Sequence, residues 1–110
     1  MVKPQDKRIL VTGGLGYLGG RLSQHLAQTG AKIRIATRRT LDLFPHWADH
    51  FEMVTYDGTS DEDLDRLCEG VDVIIHLAAA NEHRSAADPA GALMDTGVAT
   101  VRLLQAAERQ

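Results

Sequence analysis

At 110 residues, with 44% hydrophobic and 25% charged side chains, the chain has the make-up of one soluble globular domain, because domains typically centre on roughly 100 to 150 residues. A formal charge of −3 and a pI of about 5.9 give no basic field for nucleic acid or an anionic membrane surface, which leaves small molecules as the expected partners. Residues 1–7 lack the apolar middle of a secretory signal, no apolar run reaches the roughly 18 residues of a membrane span, and the single cysteine excludes an internal disulfide, so the cytoplasm is the expected location.

In chain order, Arg8–Thr12 reads as a short strand whose unbroken Ile9, Leu10 and Val11 suit a parallel strand covered on both faces. Glycines interrupt it. From residue 17 to 29, Leu18, Leu22 and Leu26 recur every four positions, which predicts a helix with one apolar stripe laid on the sheet and Gly30 as its stop. Residues 32–36 form a second, Ile-containing strand that feeds Thr37, Arg38 and Arg39 in a polar loop. Residues 41–50 are ambiguous and compatible with a short helix. Residues 51–56 make a third strand; Ser60 opens a helix to residue 69 with acidic residues in its first turn, and Gly70 ends it. Cys68 follows Leu64 and Leu67 in apolar rhythm and reads as a buried helix residue rather than a nucleophile. Residues 71–77 are the fourth and most apolar strand, followed by a loop to about Asp88 and a long helix from Pro89, a residue suited to a first helical turn. Strands alternating with helices at this spacing predict an α/β fold: a parallel sheet with right-handed crossovers and helices on both faces, forming a single domain over residues 1–110.

The stretch Thr12-Gly13-Gly14-Leu15-Gly16-Tyr17-Leu18-Gly19 lies between the first strand and the first helix, the context in which a glycine pattern carries information. Bare backbone at Gly13 and Gly16 would allow a tight turn and close approach of a pyrophosphate. Gly19 would let the helix lie close to the strand, and the phosphate would meet helix amides and the positive end of the dipole. With this Rossmann motif the strand order is expected to be 3-2-1-4.

TGGLGYLGG, VIIHLAAANE and VRLLQAAE together resemble the extended short-chain dehydrogenase/reductase superfamily, specifically its NAD-dependent epimerase/dehydratase branch. That family's TGxxGxxG is matched by Thr12, Gly13, Gly16 and Gly19, and its HLAA by His76, Leu77, Ala78 and Ala79. The resemblance implies that the amides of Tyr17 and Leu18 face the pyrophosphate and that Leu77, Ala78 and Ala79 line the ribose and nicotinamide side. The family's NxxGTxxLLxAA is followed at Thr100, Leu103, Leu104, Ala106 and Ala107, but Thr96 replaces the Asn and Ala99 the Gly.

The end of the second strand bears on cofactor choice, since an Asp or Glu about 20 residues beyond the glycines would hold the ribose hydroxyls of NAD. Thr37 stands there instead, and Arg38 and Arg39 follow, so a 2′-phosphate would meet cationic donors. NADP is favoured and NAD remains possible; either arginine could serve, and two solvated loop arginines are the plain alternative. Asp57 and Gly58 follow the third strand where the family places an acceptor near the adenine amino group, although a turn residue reads equally well.

Other polar residues carry weaker signals. His76 lies within a strand of the family pattern and is read as a satisfied buried histidine without a catalytic role. His46 and His50, with Asp42 and Asp49 nearby, have a spacing that on an α-helix could bring two imidazoles to one metal; a solvated polar face is the favoured reading and no metal is expected. Asn81, Glu82, His83 and Arg84 follow HLAA in a loop that could pass a substrate or simply lie on the surface.

Members of the resembled superfamily use a YxxxK pair to move a proton and orient the nicotinamide ribose. Tyr17 and Tyr56 are the only tyrosines, and neither has a lysine four residues on. No catalytic residue is assigned. The chain is expected to be the cofactor-binding part of an oxidoreductase, epimerase or dehydratase, ending in the helix before the catalytic half and inactive alone. The parent would transfer a hydride on a nucleotide sugar or a similar small carbonyl or alcohol substrate. A non-catalytic NADP-sensing or scaffold module is the alternative. An open apolar edge at the fourth strand could also support a homo-oligomer.

Overall fold

The computed structural model describes residues 6–38, 44–79 and 82–110, without the side chains of 82–84. Strands β1 (Arg8–Thr12), β2 (Lys32–Thr37), β3 (Glu52–Thr55) and β4 (Val73–His76) form one parallel sheet in the order β3-β2-β1-β4. This is the expected order. Central β1 is paired on both sides, Leu10 standing opposite Arg34 of β2 and Ile74 of β4.

Alternate residues of a strand point to opposite faces, and β1 feeds two cores in this way. On one face Ile9 and Val11 join Ile33 and Ile35 of β2, covered by Leu26 of helix α1 (Tyr17–Gln28), and by Trp47 and Phe51 on and just after a 3-10 turn, His46–His50. On the other, Leu10 and Ala36 meet Leu64, Leu67 and Cys68 of α2 (Asp61–Cys68) and Leu103 and Ala106 near the carboxyl end of the chain. Each fully buried Leu or Ile contributes about 1.5–3 kcal/mol, so the two layers are the main source of stability. Cys68 is buried among them, and loss of water around the thiol raises its pKa.

Caps fall where the sequence puts them. Ser60 Oγ accepts from the Asp63 amide at 3.2 Å, Asp88 Oδ1 accepts from the Gly91 amide at 3.1 Å, and positive φ at Gly30 and Gly70 follows the ends of α1 and α2.

Three expectations about the helices are corrected. Leu26 of the expected stripe packs on the core, but Leu18 is exposed and the fully buried residues of α1 are Gly19, Gly20 and Ser23; the helix starts so close to the preceding loop and to Trp47 that small residues lie there. The connection after β4 contains a helix, α3 (Glu82–Ala87), where a loop was expected. The final helix is not uniform: α4 (Pro89–Leu93) passes through a π turn, Met94–Val98, into α5 (Ala99–Arg109). Among the described residues no helix is long and apolar enough to cross a membrane.

Candidate functional site

A groove of about 460 Å³ opens at the carboxyl ends of the strands. The loop after β1 forms one wall, the end of β2 another, and the residues after β4 a third. Gly13, Gly16, Arg38, Leu77, Ala78 and Ala79 line it, which brings together six of the residues singled out from the sequence.

Each glycine of the loop has a separate reason. Gly13 has φ +68°, and a Cβ there would lie 2.9 Å from the Ala78 nitrogen. A Cβ on Gly19 would lie 2.1 Å from the Gly13 carbonyl oxygen, so this glycine admits the helix against the loop itself. Gly14 was not singled out, yet a Cβ on it would meet Ile35 at 2.6 Å. Gly16 differs from all three. Its backbone is ordinary extended chain, with φ −74° and ψ 176°, and its nearest conflict is 3.3 Å. A Cβ at Gly16 would be tight against backbone but less crowded than at its neighbours, and Gly16 lines the groove.

Gly16 is the N-cap of α1 and offers no capping side chain. The amides of Tyr17, Leu18 and Gly19 form the first turn, where no carbonyl within the helix can serve them, and the positive end of the helix dipole adds to their pull on an anion. The side chains of Tyr17 and Leu18 point to solvent, 79% and 62% exposed, and Arg21 lies over the Tyr17 ring at 4.3 Å.

A directed chain of hydrogen bonds joins the loop to the two elements behind it. Thr12 Oγ1 accepts from the amides of Leu77 and Ala78 at 3.1 and 3.2 Å, so its own proton goes to His76 Nδ1, 2.6 Å away. Nε2 must then carry the imidazole proton, which it donates to Thr100 Oγ1 at 2.9 Å, and the Thr100 hydroxyl donates to the Thr96 carbonyl of the π turn. His76 is thus a satisfied, half-buried histidine, as expected. Burial, and then the charge of Arg38, lower its pKa and hold it neutral.

At the end of β2, Arg38 is half exposed. Its Nη2 donates to the Asp95 carbonyl at 3.3 Å, its Nη1 lies 3.6 Å from Asp95 Oδ1, and its guanidinium stands 5.9 Å from the Tyr56 ring centre. Arg39 and Asp42 lie outside the described residues, as does Asn81; Glu82, His83 and Arg84 fall in α3, with their side chains outside that description.

Asp57 and Gly58 line a second groove of about 290 Å³ adjoining the first. Asp57 Oδ1 accepts from the Thr59 amide and hydroxyl at 2.8 and 2.7 Å, which lowers the carboxyl pKa and makes the turn reading a description of what that oxygen does. His46 and His50 lie on a 3-10 turn, where residues four apart are turned about 120° from each other, so the helical face they were read on does not form. No group of three metal-ligating side chains occurs among the described residues.

Four described groove residues were not assigned to the site from the sequence, the apolar Leu15 and Ala36 and the polar Tyr56 and Asp95. Asp95-Thr96-Gly97, three poor helix formers in succession inside a helix, was the signal available for the last.

Comparisons with known proteins show the family. The family model described as NAD dependent epimerase/dehydratase family matches residues 9–110. This chain belongs to that family. Among its relatives, a ceramide reductase of Caulobacter vibrioides is 38% identical over 78 residues, covering 70% of this chain and 24% of the reductase. A UDP-glucuronic acid decarboxylase 1 of Danio rerio is 31% identical over 110 residues, covering 94% of this chain and 25% of the decarboxylase. Among solved structures, the epimerase Mth375 of Methanothermobacter thermautotrophicus superposes with a TM-score of 0.80 at 32% identity, covering 94% of this chain and 32% of that one. The chain therefore spans about a quarter of the length of these curated family members.

Proposed function

We propose that this chain is the dinucleotide-binding part of a family member that transfers a hydride, with the pyrophosphate seated on the first turn of α1. The observation that carries the reading is Gly16, which lines the groove as the N-cap of α1 and where a Cβ would be less crowded than at Gly13, Gly14 or Gly19. Tyr17 and Leu18 supply amides to the pyrophosphate, and Gly19 keeps the helix close enough to present them. Leu77, Ala78 and Ala79 form a low wall for the ribose and nicotinamide side, and Asp57 and Gly58 border the adenine end. A bound nicotinamide supplies the hydride donor or acceptor; the chain's residues hold and orient it.

NADP is the finer proposal over NAD. Thr37 and Arg38 stand where a ribose-binding carboxylate would otherwise be, so a 2′-phosphate meets a cation there. The substrate, in this reading, is a nucleotide sugar or a similar small carbonyl or alcohol compound. The decarboxylase relative supports the first, and the ceramide reductase keeps the class broad. Tyr17 and Tyr56 are not placed as a proton-transfer pair with lysine, so the chain by itself is proposed to bind without turning over.

Titration of the chain with NADPH and NADH, alongside circular dichroism, tests the reading through Gly16→Val. The variant should keep its secondary structure and lose both ligands; undiminished affinity in a folded variant would remove the pyrophosphate from this loop.

A further inference from the structure

We propose that Asp95 is a specificity-determining residue of this site, competing with a 2′-phosphate for Arg38 and so setting how far NADP is preferred over NAD. The inference rests on the dinucleotide reading above and adds a residue and a direction to it.

Asp95 lies in the π turn. In an unbroken α-helix the Ala99 amide would serve the Asp95 carbonyl; here it bonds the Met94 carbonyl, five residues back. Arg38 Nη2 donates to the Asp95 carbonyl at 3.3 Å, with Nη1 3.6 Å from the Asp95 carboxylate. One residue therefore holds the guanidinium through both its backbone and its side chain.

Position gives the contact its consequence. Arg38, Tyr56 and Asp95 all border both the main groove and the one that carries Asp57 and Gly58, so the ion pair stands where the two meet. Among the described residues of the main groove, Arg38 is the one cation and Asp95 the one carboxylate. An incoming phosphate of charge about −1.5 to −2 draws Arg38 more strongly than a carboxylate does, yet it must displace Asp95 from the fork and then sit near a like charge. NAD, with hydroxyls on that ribose, meets neither demand. The side chains of the pair are 41% exposed for Arg38 and 33% for Asp95, so the effect belongs to the modest range of solvated pairs.

The test is calorimetric titration of NADP and NAD into the chain and into Asp95→Asn, Arg38→Gln and the double variant, each checked for unchanged circular dichroism. Asp95→Asn should bind NADP about two- to five-fold more tightly with NAD unaltered, and this gain should vanish in the Arg38→Gln background. A gain that is equal for both dinucleotides, or that persists without Arg38, overturns the proposal. Should Arg38→Gln erase the preference for NADP while Asp95→Asn leaves it unchanged, Asp95 alone loses its role. Should Arg38→Gln leave the preference intact, the 2′-phosphate reading of Arg38 fails first and this inference with it.

Discussion

Arg34 and Arg38 lie four residues apart, one on β2 and one just past its end, and they meet opposite fates. Arg34, toward the amino end of the strand, is 8% exposed. Its Nη1 donates to the carbonyls of Leu67 and Glu69 at 2.7 and 2.8 Å, closing the carboxyl end of α2, and its Nε pairs with Glu52 of β3. Arg38 stands at the other end, with longer contacts to a single acidic residue and a groove in front of it. The difference teaches that residue type alone does not mark a site. One guanidinium is saturated by the fold, and the other is left with donors a ligand can use.

The variant that most strains this division is Gly19→Ala. At the carboxyl end the fold and the site need the same missing atom, because the new Cβ would sit 2.1 Å from the Gly13 carbonyl oxygen. A loss of about 3 kcal/mol is expected in denaturant titration, at the upper end of overpacking costs. Arg34→Met comes next. It orphans the two carbonyls that Arg34 serves on α2, for a loss of roughly 2 kcal/mol with the groove residues undisturbed. Ser60→Ala removes a cap distant from both arginines and should cost about 1 kcal/mol. Arg38→Gln should change stability by no more than about 0.5 kcal/mol while altering ligand preference, the reverse of the result at Arg34.

Acid supplies a finer test of the carboxyl end. Neutral His76 accepts from Thr12, whose oxygen is already occupied by two amides, so a protonated Nδ1 has no acceptor in that arrangement. Its pKa is lowered in the fold, so the folded chain binds fewer protons there than the unfolded chain does. The associated stability is fully present above the ordinary imidazole value of 6.5 and is lost as pH falls through the lowered one. Melting temperatures from pH 8 down to 5 should fall more steeply for the native chain than for His76→Gln; parallel curves would deny His76 this role.

The helix stops and the glycines after β1 were legible because each depends on a few adjacent residues and a fixed backbone geometry, and the sheet order was legible through the Rossmann motif those glycines form. Arg34 was not, since its partners Glu52, Leu67 and Glu69 come from elements that only tertiary packing brings to β2. Of the stripe Leu18, Leu22 and Leu26, Leu26 packs on the core and only Leu18 is exposed, because periodicity reports apolar spacing, whereas the distance from helix to loop decides what fits at the first turn. The π turn escaped for a related reason. Asp95 and Thr100, in and just after that turn, bond Arg38 and His76, contacts that no pattern within the helix contains.

The central claim is that a dinucleotide sits at the carboxyl ends of the strands with its pyrophosphate on the start of α1. Backbone amide shifts of the isotopically labelled chain, followed by nuclear magnetic resonance as NADPH is added, test it directly. The largest movements should fall at Tyr17, Leu18 and Gly19, with Ala78 following and Arg8, Lys32 and Gly70 at the opposite end of the sheet unmoved. Saturating shifts centred on that opposite end, with the first turn of α1 silent, would contradict it.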